Sequence, residues 1–96
     1  MKFVLFWEYD AKDVAKVEEK QRQLQEERKK NPNKFPKSLG LSFYYVGQTK
    51  GFALYETDSP DQLTNFALHY MPEGRAEFIP IQEMSTVTEL YRKTKK

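Results

Sequence analysis

The segment that most constrains this chain is its apolar beginning, residues 2–9, with the sequence KFVLFWEY. In an extended strand, successive side chains point to opposite faces. One face of this segment would carry Phe3, Leu5, Trp7 and Tyr9, and the other would carry Val4 and Phe6. A strand with two apolar faces is typical of the centre of a sheet that is covered on both sides. The sequence therefore predicts a central strand at residues 2–9.

Helical periodicity follows this strand. Asp10 is a suitable N-cap residue, and apolar side chains recur at helical spacing from Ala11 to about Lys30. The segment NPNKFPKS, residues 31–38, has two prolines and two asparagines, so the helix must end there and the chain must turn back. In the next segment, LGLSFYYVG at residues 39–47, Leu41, Phe43 and Tyr45 alternate with the residues between them, which predicts a second strand.

The middle of the chain predicts a hairpin and a second helix. GQTKG, residues 47–51, is short enough to connect the second strand to a third strand at residues 52–57. Ser59 and Pro60 indicate a helix start, because serine is a good N-cap and proline suits the first helical position. One face of this helix would be buried, and it carries Leu63, Phe66, Ala67 and Tyr70.

The end of the chain predicts one more strand and a short helix. Residues 77–83, EFIPIQE, form the fourth strand, and Pro80 favours an edge position because proline cannot donate to a central ladder. Thr86 and Glu89 have the spacing of a capping box for a last helix that runs through Tyr91.

This order of elements predicts a single α+β domain over residues 1–96 with the ferredoxin-like βαββαβ arrangement. The four-stranded antiparallel sheet would have the order 4-1-3-2, followed by the short C-terminal helix. The first and third strands would pair at the centre, and the second and fourth strands would lie at the edges.

The predicted sheet has more apolar surface than the two long helices can cover. Aligning the two halves of the chain as copies places one set of side chains on the uncovered face: Phe3, Leu5, Trp7, Phe52 and Leu54. The reverse assignment exposes Val4, Phe6, Ala53, Tyr55, Ile79 and Ile81. Either patch is larger than soluble monomers normally expose. We therefore expect a homodimer in which a second copy covers this face and encloses a space between the sheets.

Two segments of the chain resemble a known family. GFALYETDSPDQL, residues 51–63, followed by EFIPIQE, is similar to a family of short prokaryotic proteins within the dimeric α+β barrel superfamily, which carries no assigned function. The resemblance implies the ferredoxin-like fold and a dimeric barrel. Relatives in the superfamily include cofactor-free monooxygenases, dismutases and ligand-sensing domains, so the fold does not fix the chemistry.

Composition limits the classes of function. The chain has no cysteine, which excludes thiol chemistry. Its formal net charge of +2 is too small to attract polyanions strongly. Its first apolar run, residues 3–7, is too short for a signal peptide or a membrane span, so we expect a soluble, unprocessed cytoplasmic protein without a membrane partner. No phosphate loop, dinucleotide glycine pattern or metal-ligand cluster occurs, and we expect no cofactor and no metal.

The candidate ligand-binding residues are Trp7, Tyr9, Tyr45 and Glu56. Indole and phenol rings give an apolar wall with polar groups for a small apolar or aromatic ligand. Burial among such rings would prepare Glu56 for proton transfer or ligand hydrogen bonding. The other interpretation is that the rings pack a dimer interface and that the carboxylate is solvated.

The candidate catalytic residues are His69 and Glu56. His69 is the only histidine, the residue type that suits acid–base catalysis near neutral pH. A histidine at the end of a helix more commonly complements the helix dipole. Cofactor-free catalysis therefore stays open, and the sequence identifies no reaction.

An RNA-recognition-like module is the alternative function. Lys50, Gly51, Phe52 and Ala53 fit the first four positions of the RNA-recognition strand signature, whose domain shares this element order. Leu54 and Thr57 stand where the signature requires rings for base stacking, so a nucleic-acid partner is the less expected one. In this alternative, Phe52 and the Lys50 edge would bind single-stranded nucleic acid.

Overall fold

The computed structural model of the protein describes residues 1–95. Four strands and three helices follow one another along the chain: β1 (Lys2–Tyr9), α1 (Val14–Lys30), β2 (Lys37–Tyr44), β3 (Lys50–Glu56), α2 (Pro60–Tyr70), β4 (Gly74–Ile81) and α3 (Met84–Thr94). A single 3-10 turn at Ala11–Asp13 leads into α1.

The strands form one antiparallel sheet with the order β2-β3-β1-β4. This order is the predicted 4-1-3-2 arrangement counted from the other edge, so the α+β, βαββαβ prediction with a C-terminal helix is confirmed. Pro80 lies in β4 at the edge, as predicted, where one side of the strand has no partner in the described chain.

Several element boundaries differ from the predicted ones. β4 begins at Gly74, three residues before the predicted start at residue 77, because its pairing with β1 extends as far as Tyr9. α3 begins at Met84, so the predicted capping box of Thr86 and Glu89 is wrong. The N-cap position belongs to Glu83, whose carbonyl oxygen accepts a hydrogen bond from the Thr86 amide at 3.0 Å.

The register of β1 corrects the predicted assignment of side chains to faces. Phe3 lies opposite Tyr55, and Leu5 lies opposite Ala53. Residues that lie opposite each other share a face of the sheet. The two expected sets were therefore each a mixture, because the alignment matched Phe3 with Phe52, whereas the observed register puts Phe52 on the same face as Phe6.

One face of the sheet, called here the helix-covered face, packs against α1, α2 and the segment before β2. Leu5 of β1 is buried there with Leu24 of α1, Phe66 of α2 and Phe35. Phe35 belongs to the proline- and asparagine-rich segment that the sequence marked only as a turn. This segment closes the core, and Arg28 holds it through a hydrogen bond of 3.1 Å from Nη2 to the carbonyl oxygen of Pro36.

The other face, called here the open face, has no helix of the same chain over it in the described residues. Its apolar side chains are Val4, Phe6, Phe43, Phe52, Leu54, Ile79 and Ile81. Phe43 and Phe52 stack with their ring centroids 5.0 Å apart. Phe43 is half exposed, and Phe6 and Ile79 are each 39% exposed. Pairing of two copies through this face stays a prediction.

Within residues 1–95, no helix combines the length and the apolar character that crossing a membrane requires.

Replacing Leu5 should strongly destabilise the fold. Leu5 is 1% exposed, and we expect Leu5→Ala to lower the free energy of unfolding by about 2–5 kcal/mol because it leaves a cavity in the core. Urea denaturation measures this loss. Leu68→Ala removes the same atoms from an exposed position on α2 and should cost less than about 1 kcal/mol. Equal losses in the two variants would contradict the described core.

Candidate functional site

A cavity of about 300 Å³ lies between the helix-covered face and α1. Its floor consists of small residues on the two strands that flank β1, which are Ala53 of β3 and Gly74 and Ala76 of β4. α1 contributes Val14 and Val17 above them, and these side chains are too short to fill the space. The volume is at the lower end of the range found for small-molecule sites. The cavity is the candidate functional site.

Two stacked rings of β1 form one wall of the cavity. The Trp7 and Tyr9 rings lie 5.9 Å apart with an interplanar angle of 12°. Both residues belong to the helix-covered face, since Trp7 lies opposite Gly51 and Ala76. Thr49 fixes the end of the strand, because its Oγ1 donates a hydrogen bond of 2.5 Å to the Tyr9 carbonyl oxygen.

The inner wall is also aromatic. The Phe66 ring lies 5.4 Å from the Tyr55 ring and 5.1 Å from the Tyr70 ring. Burial raises the pKa of the Tyr70 phenol to about 12 and also raises the pKa of Tyr55, although the guanidinium of Arg28 opposes the second shift. Both phenols are therefore protonated at neutral pH and can act as hydrogen-bond donors.

Charged side chains lie at one end of the cavity. Arg75 Nε donates a hydrogen bond of 3.2 Å to Glu8 Oε1, and Arg75 Nη2 lies 3.5 Å from Asp10 Oδ1. Asp10 occupies the predicted N-cap position before Ala11, but its carboxylate makes no capping hydrogen bond to the helix. Ion pairs this exposed contribute about 0–1 kcal/mol, so a ligand can compete for Arg75 at little cost.

The predicted ligand-binding residues do not all meet. Trp7 and Tyr9 lie together in the cavity wall, whereas Tyr45 lies on the side of the open face, 6.3 Å from the Phe52 ring. Glu56 is at the other end of β3, beside the lysines at the ends of β1 and β2. It lies five residues from Gly51, the partner of Trp7, which is roughly 16 Å along a strand.

The other candidate catalytic residue, His69, joins α1 to α2. It lies in the last turn of α2, and its Nε2 is 2.5 Å from the carbonyl oxygen of Lys20. The ring meets Phe35 and Tyr70 edge-on at 5.9 and 5.2 Å. Neither His69 nor Glu56 borders the cavity.

Among the residues of this site that the sequence interpretation missed are Tyr55, Tyr70 and Arg75. Tyr70 belongs to the apolar stripe of α2, so its burial was expected but not its place beside an unfilled space. Arg75 precedes the predicted fourth strand, and only the register with β1 brings it to Glu8. In the part of the chain from residue 1 to residue 95, no group of three His, Asp or Glu side chains could hold a metal ion.

An alanine at Gly51 should displace the indole of Trp7. An added Cβ would lie 2.5 Å from a carbon of that ring and 2.0 Å from the carbonyl oxygen of Phe43. We expect Gly51→Ala to lower the free energy of unfolding by about 1–3 kcal/mol and to change the Trp7 fluorescence spectrum. Gln48→Ala, in the same hairpin and exposed, is the matched control and should change neither. Wild-type behaviour of Gly51→Ala would contradict the contact.

The Tyr70 phenol should resist ionisation. Because burial raises its pKa to about 12, the folded protein favours the neutral phenol. The contribution of the neutral phenol to the free energy of unfolding is fully present below pH 10 and is lost as the pH rises to about 12. Tyrosinate absorbance should therefore contain a late-titrating fraction that Tyr70→Phe reduces. An unchanged late fraction in that variant would contradict the burial of this phenol beside the cavity.

Comparison with known proteins places the chain in a family. A search of the curated proteins finds no match. A family described as a domain of unknown function (DUF3303) matches residues 1–95, which is nearly the whole chain. The resemblance to a short domain family without an assigned function is thereby confirmed. The chain belongs to this family, domain of unknown function DUF3303.

Proposed function

We propose that the protein binds a small, planar, mostly apolar molecule in the cavity between α1 and the sheet. The observation that carries this proposal is the unfilled volume of about 300 Å³ surrounded by aromatic rings. Rings on several sides favour a flat ligand, because offset stacking and edge contacts both add to the gain from burial. The small floor residues leave room for such a ligand.

The polar groups around the cavity indicate what the ligand carries. The protonated phenols of Tyr55 and Tyr70 favour a hydrogen-bond acceptor at the inner end of the ligand. Glu18 and Gln21 of α1 border the same space and can bind a hydroxyl or amino group. An aromatic molecule with one or two oxygen substituents fits this set.

The proposal moves the expected ligand from between two sheets to the interior of one chain. Trp7 and Tyr9, two of the four predicted contact residues, belong to the helix-covered face and border the cavity there. Because the candidate catalytic residues His69 and Glu56 lie elsewhere, the proposal is one of binding rather than catalysis.

Filling the cavity should abolish binding. Naphthol is a suitable probe because it is flat, small and carries one oxygen. We expect it to shift the single indole N–H resonance of Trp7, the only tryptophan of the chain, in an amide correlation spectrum. Val17→Phe places a ring in the cavity and should raise the dissociation constant roughly tenfold or more, as measured by calorimetry.

The control for this experiment lies on the same helix. Ala15 is exposed on α1 and does not border the cavity, so Ala15→Phe should bind naphthol as the wild type does. Equal binding by the wild type and by Val17→Phe would place the probe elsewhere and would contradict the proposal. The proposal would also be contradicted if neither naphthol nor related hydroxylated aromatics bound and native mass spectrometry found no co-purified molecule.

A second candidate function, single-stranded nucleic-acid binding, rests on the exposed rings of the open face. Phe52 lies at the centre of this group, with Phe43, Phe6 and Tyr45 around it at 5.0, 6.3 and 6.3 Å. The ammonium of Lys50 lies 6.0 Å from the Tyr45 ring centroid. Rings beside basic side chains are the usual means of stacking and holding single-stranded bases.

Binding to a pool of short single-stranded oligonucleotides tests the second candidate. Phosphate contacts make such binding fall steeply with salt, and Phe52→Ala should weaken it by about 1–3 kcal/mol for each base that stacks there. Val17→Phe, which alters only the cavity, should leave it unchanged. Absence of salt-dependent binding at micromolar concentration would exclude this function for the open face.

A further inference from the structure

We propose that the molecule bound in the cavity is an aromatic amine whose protonated nitrogen lies at the charged end, near Glu18 and Glu8. The inference rests on the proposed function, because it assigns a chemical class to the ligand of that cavity. Three observations support it: the kind of rings in the cavity wall, the balance of charge at one end, and the groups at the inner wall.

The cavity wall is built from the aromatic residues that attract cations well. Trp7 and Tyr9 stack on β1, directly beside the charged side chains, and Tyr55 and Tyr70 form the inner wall. The faces of indole and phenol rings carry negative charge density, so a cation within about 6 Å of a ring centroid is attracted to the ring. A neutral ligand gains only burial and ring contacts from the same wall. The rings therefore favour a cationic ligand over a neutral one of the same shape.

Carboxylates outnumber guanidinium groups at the charged end of the cavity. Glu8 and Asp10 share the guanidinium of Arg75. Glu18, which borders the cavity from α1, pairs with Arg22 at 2.9 Å. Three carboxylates and two guanidinium groups leave a net charge of −1 at this end. The local field therefore attracts a cation and repels an anion.

An anionic ligand finds no unpaired cation along the cavity. Among residues 1–95, Arg75 is the one basic residue that borders it, and Glu8 and Asp10 already hold this guanidinium at 3.2 and 3.5 Å. Lys20 of α1 is engaged elsewhere, since its ammonium pairs with Glu73. A ligand carboxylate at Arg75 would lie beside the two carboxylates that it displaces. Such like charges in contact select against an anion.

The start of α1 adds little attraction for an anion. The first turn of a helix carries a positive partial charge, which favours negative groups there. In this chain Asp13 is the N-cap residue of α1, and Asp10 precedes the 3-10 turn that leads into it. These two carboxylates offset the positive end of the helix, so the balance of charge still favours a cation.

The inner wall indicates which end of the ligand carries the nitrogen. Tyr55 and Tyr70 are protonated there and favour a hydrogen-bond acceptor, whereas an ammonium group has donors only. The guanidinium of Arg28 lies 5.5 Å from the centroid of the Tyr55 ring and would repel a second cation. The ammonium therefore belongs at the charged end, and an oxygen substituent on the ring belongs at the inner wall. An arylalkylamine with one ring oxygen combines these features.

Three probes with one ring system test the charge of the ligand. Naphthylmethylamine, naphthylmethanol and naphthoate are a cation, a neutral molecule and an anion at neutral pH. In calorimetry with the full chain, we expect the amine to bind roughly fivefold more tightly than the alcohol. Naphthoate should bind more weakly than the alcohol. The preference for the amine should decrease as salt is added, because the charged groups at this end are exposed.

Two variants of α1 show whether the carboxylate at the cavity recognises the ammonium. Glu18→Gln keeps the shape of the side chain and removes its charge, and it should lower the preference for the amine over the alcohol about threefold. Glu19→Gln is the matched control, because Glu19 approaches the same Arg22, at 3.9 Å, but does not border the cavity. It should keep the wild-type preference. Both glutamates are exposed, so both variants should fold as the wild type does.

Separate outcomes distinguish failure of this inference from failure of the proposed function. If the alcohol binds and shifts the indole resonance of Trp7 but the amine binds no more tightly, the ligand class is wrong and the binding site stands. Tightest binding by naphthoate would also overturn the inference and would make Arg75 the recognition group. Equal losses in Glu18→Gln and Glu19→Gln would contradict a contact at the cavity. If none of the three probes binds, the proposed function and this inference both fail.

Discussion

The antiparallel register of β1 decides which side chains meet in this protein. β1 pairs with both β3 and β4, and a shift by one residue would exchange its two apolar faces. The observed register turns Leu5 and Trp7 toward the helices and Phe6 toward the open face. The buried core, the cavity beside Trp7 and the exposed ring group around Phe52 are therefore all consequences of one alignment of hydrogen bonds.

The cavity exists because large and small residues are unequally distributed between neighbouring strands. The central strand carries Trp7, while its partners opposite this residue are Gly51 and Ala76. Glycine is required at residue 51 because the indole lies directly over it. Ala76 is also small, and Val17 of α1 above it is too short to fill the gap. The resulting cavity is bordered on one side by the ring of Tyr70.

The order of elements could be predicted from the sequence, whereas the site could be predicted only in part. Strand alternation, the Ser59–Pro60 start of α2 and the edge proline of β4 are local signals, and they gave the correct sheet order. The assignment of faces failed because it depends on register, a pairing between distant segments. Trp7 and Tyr9 were found by their chemistry, but Arg75 reaches the site only through the pairing of β1 with β4.

The Glu8–Arg75 pair borders the cavity on one side of the sheet and a groove of about 440 Å³ on the open face on the other. A molecule that draws the guanidinium toward the cavity leaves the carboxylate of Glu8 without its partner at the rim of the open face. A ligand in the cavity and a molecule in the groove would then compete for this one ion pair, and any such coupling between two sites is reciprocal.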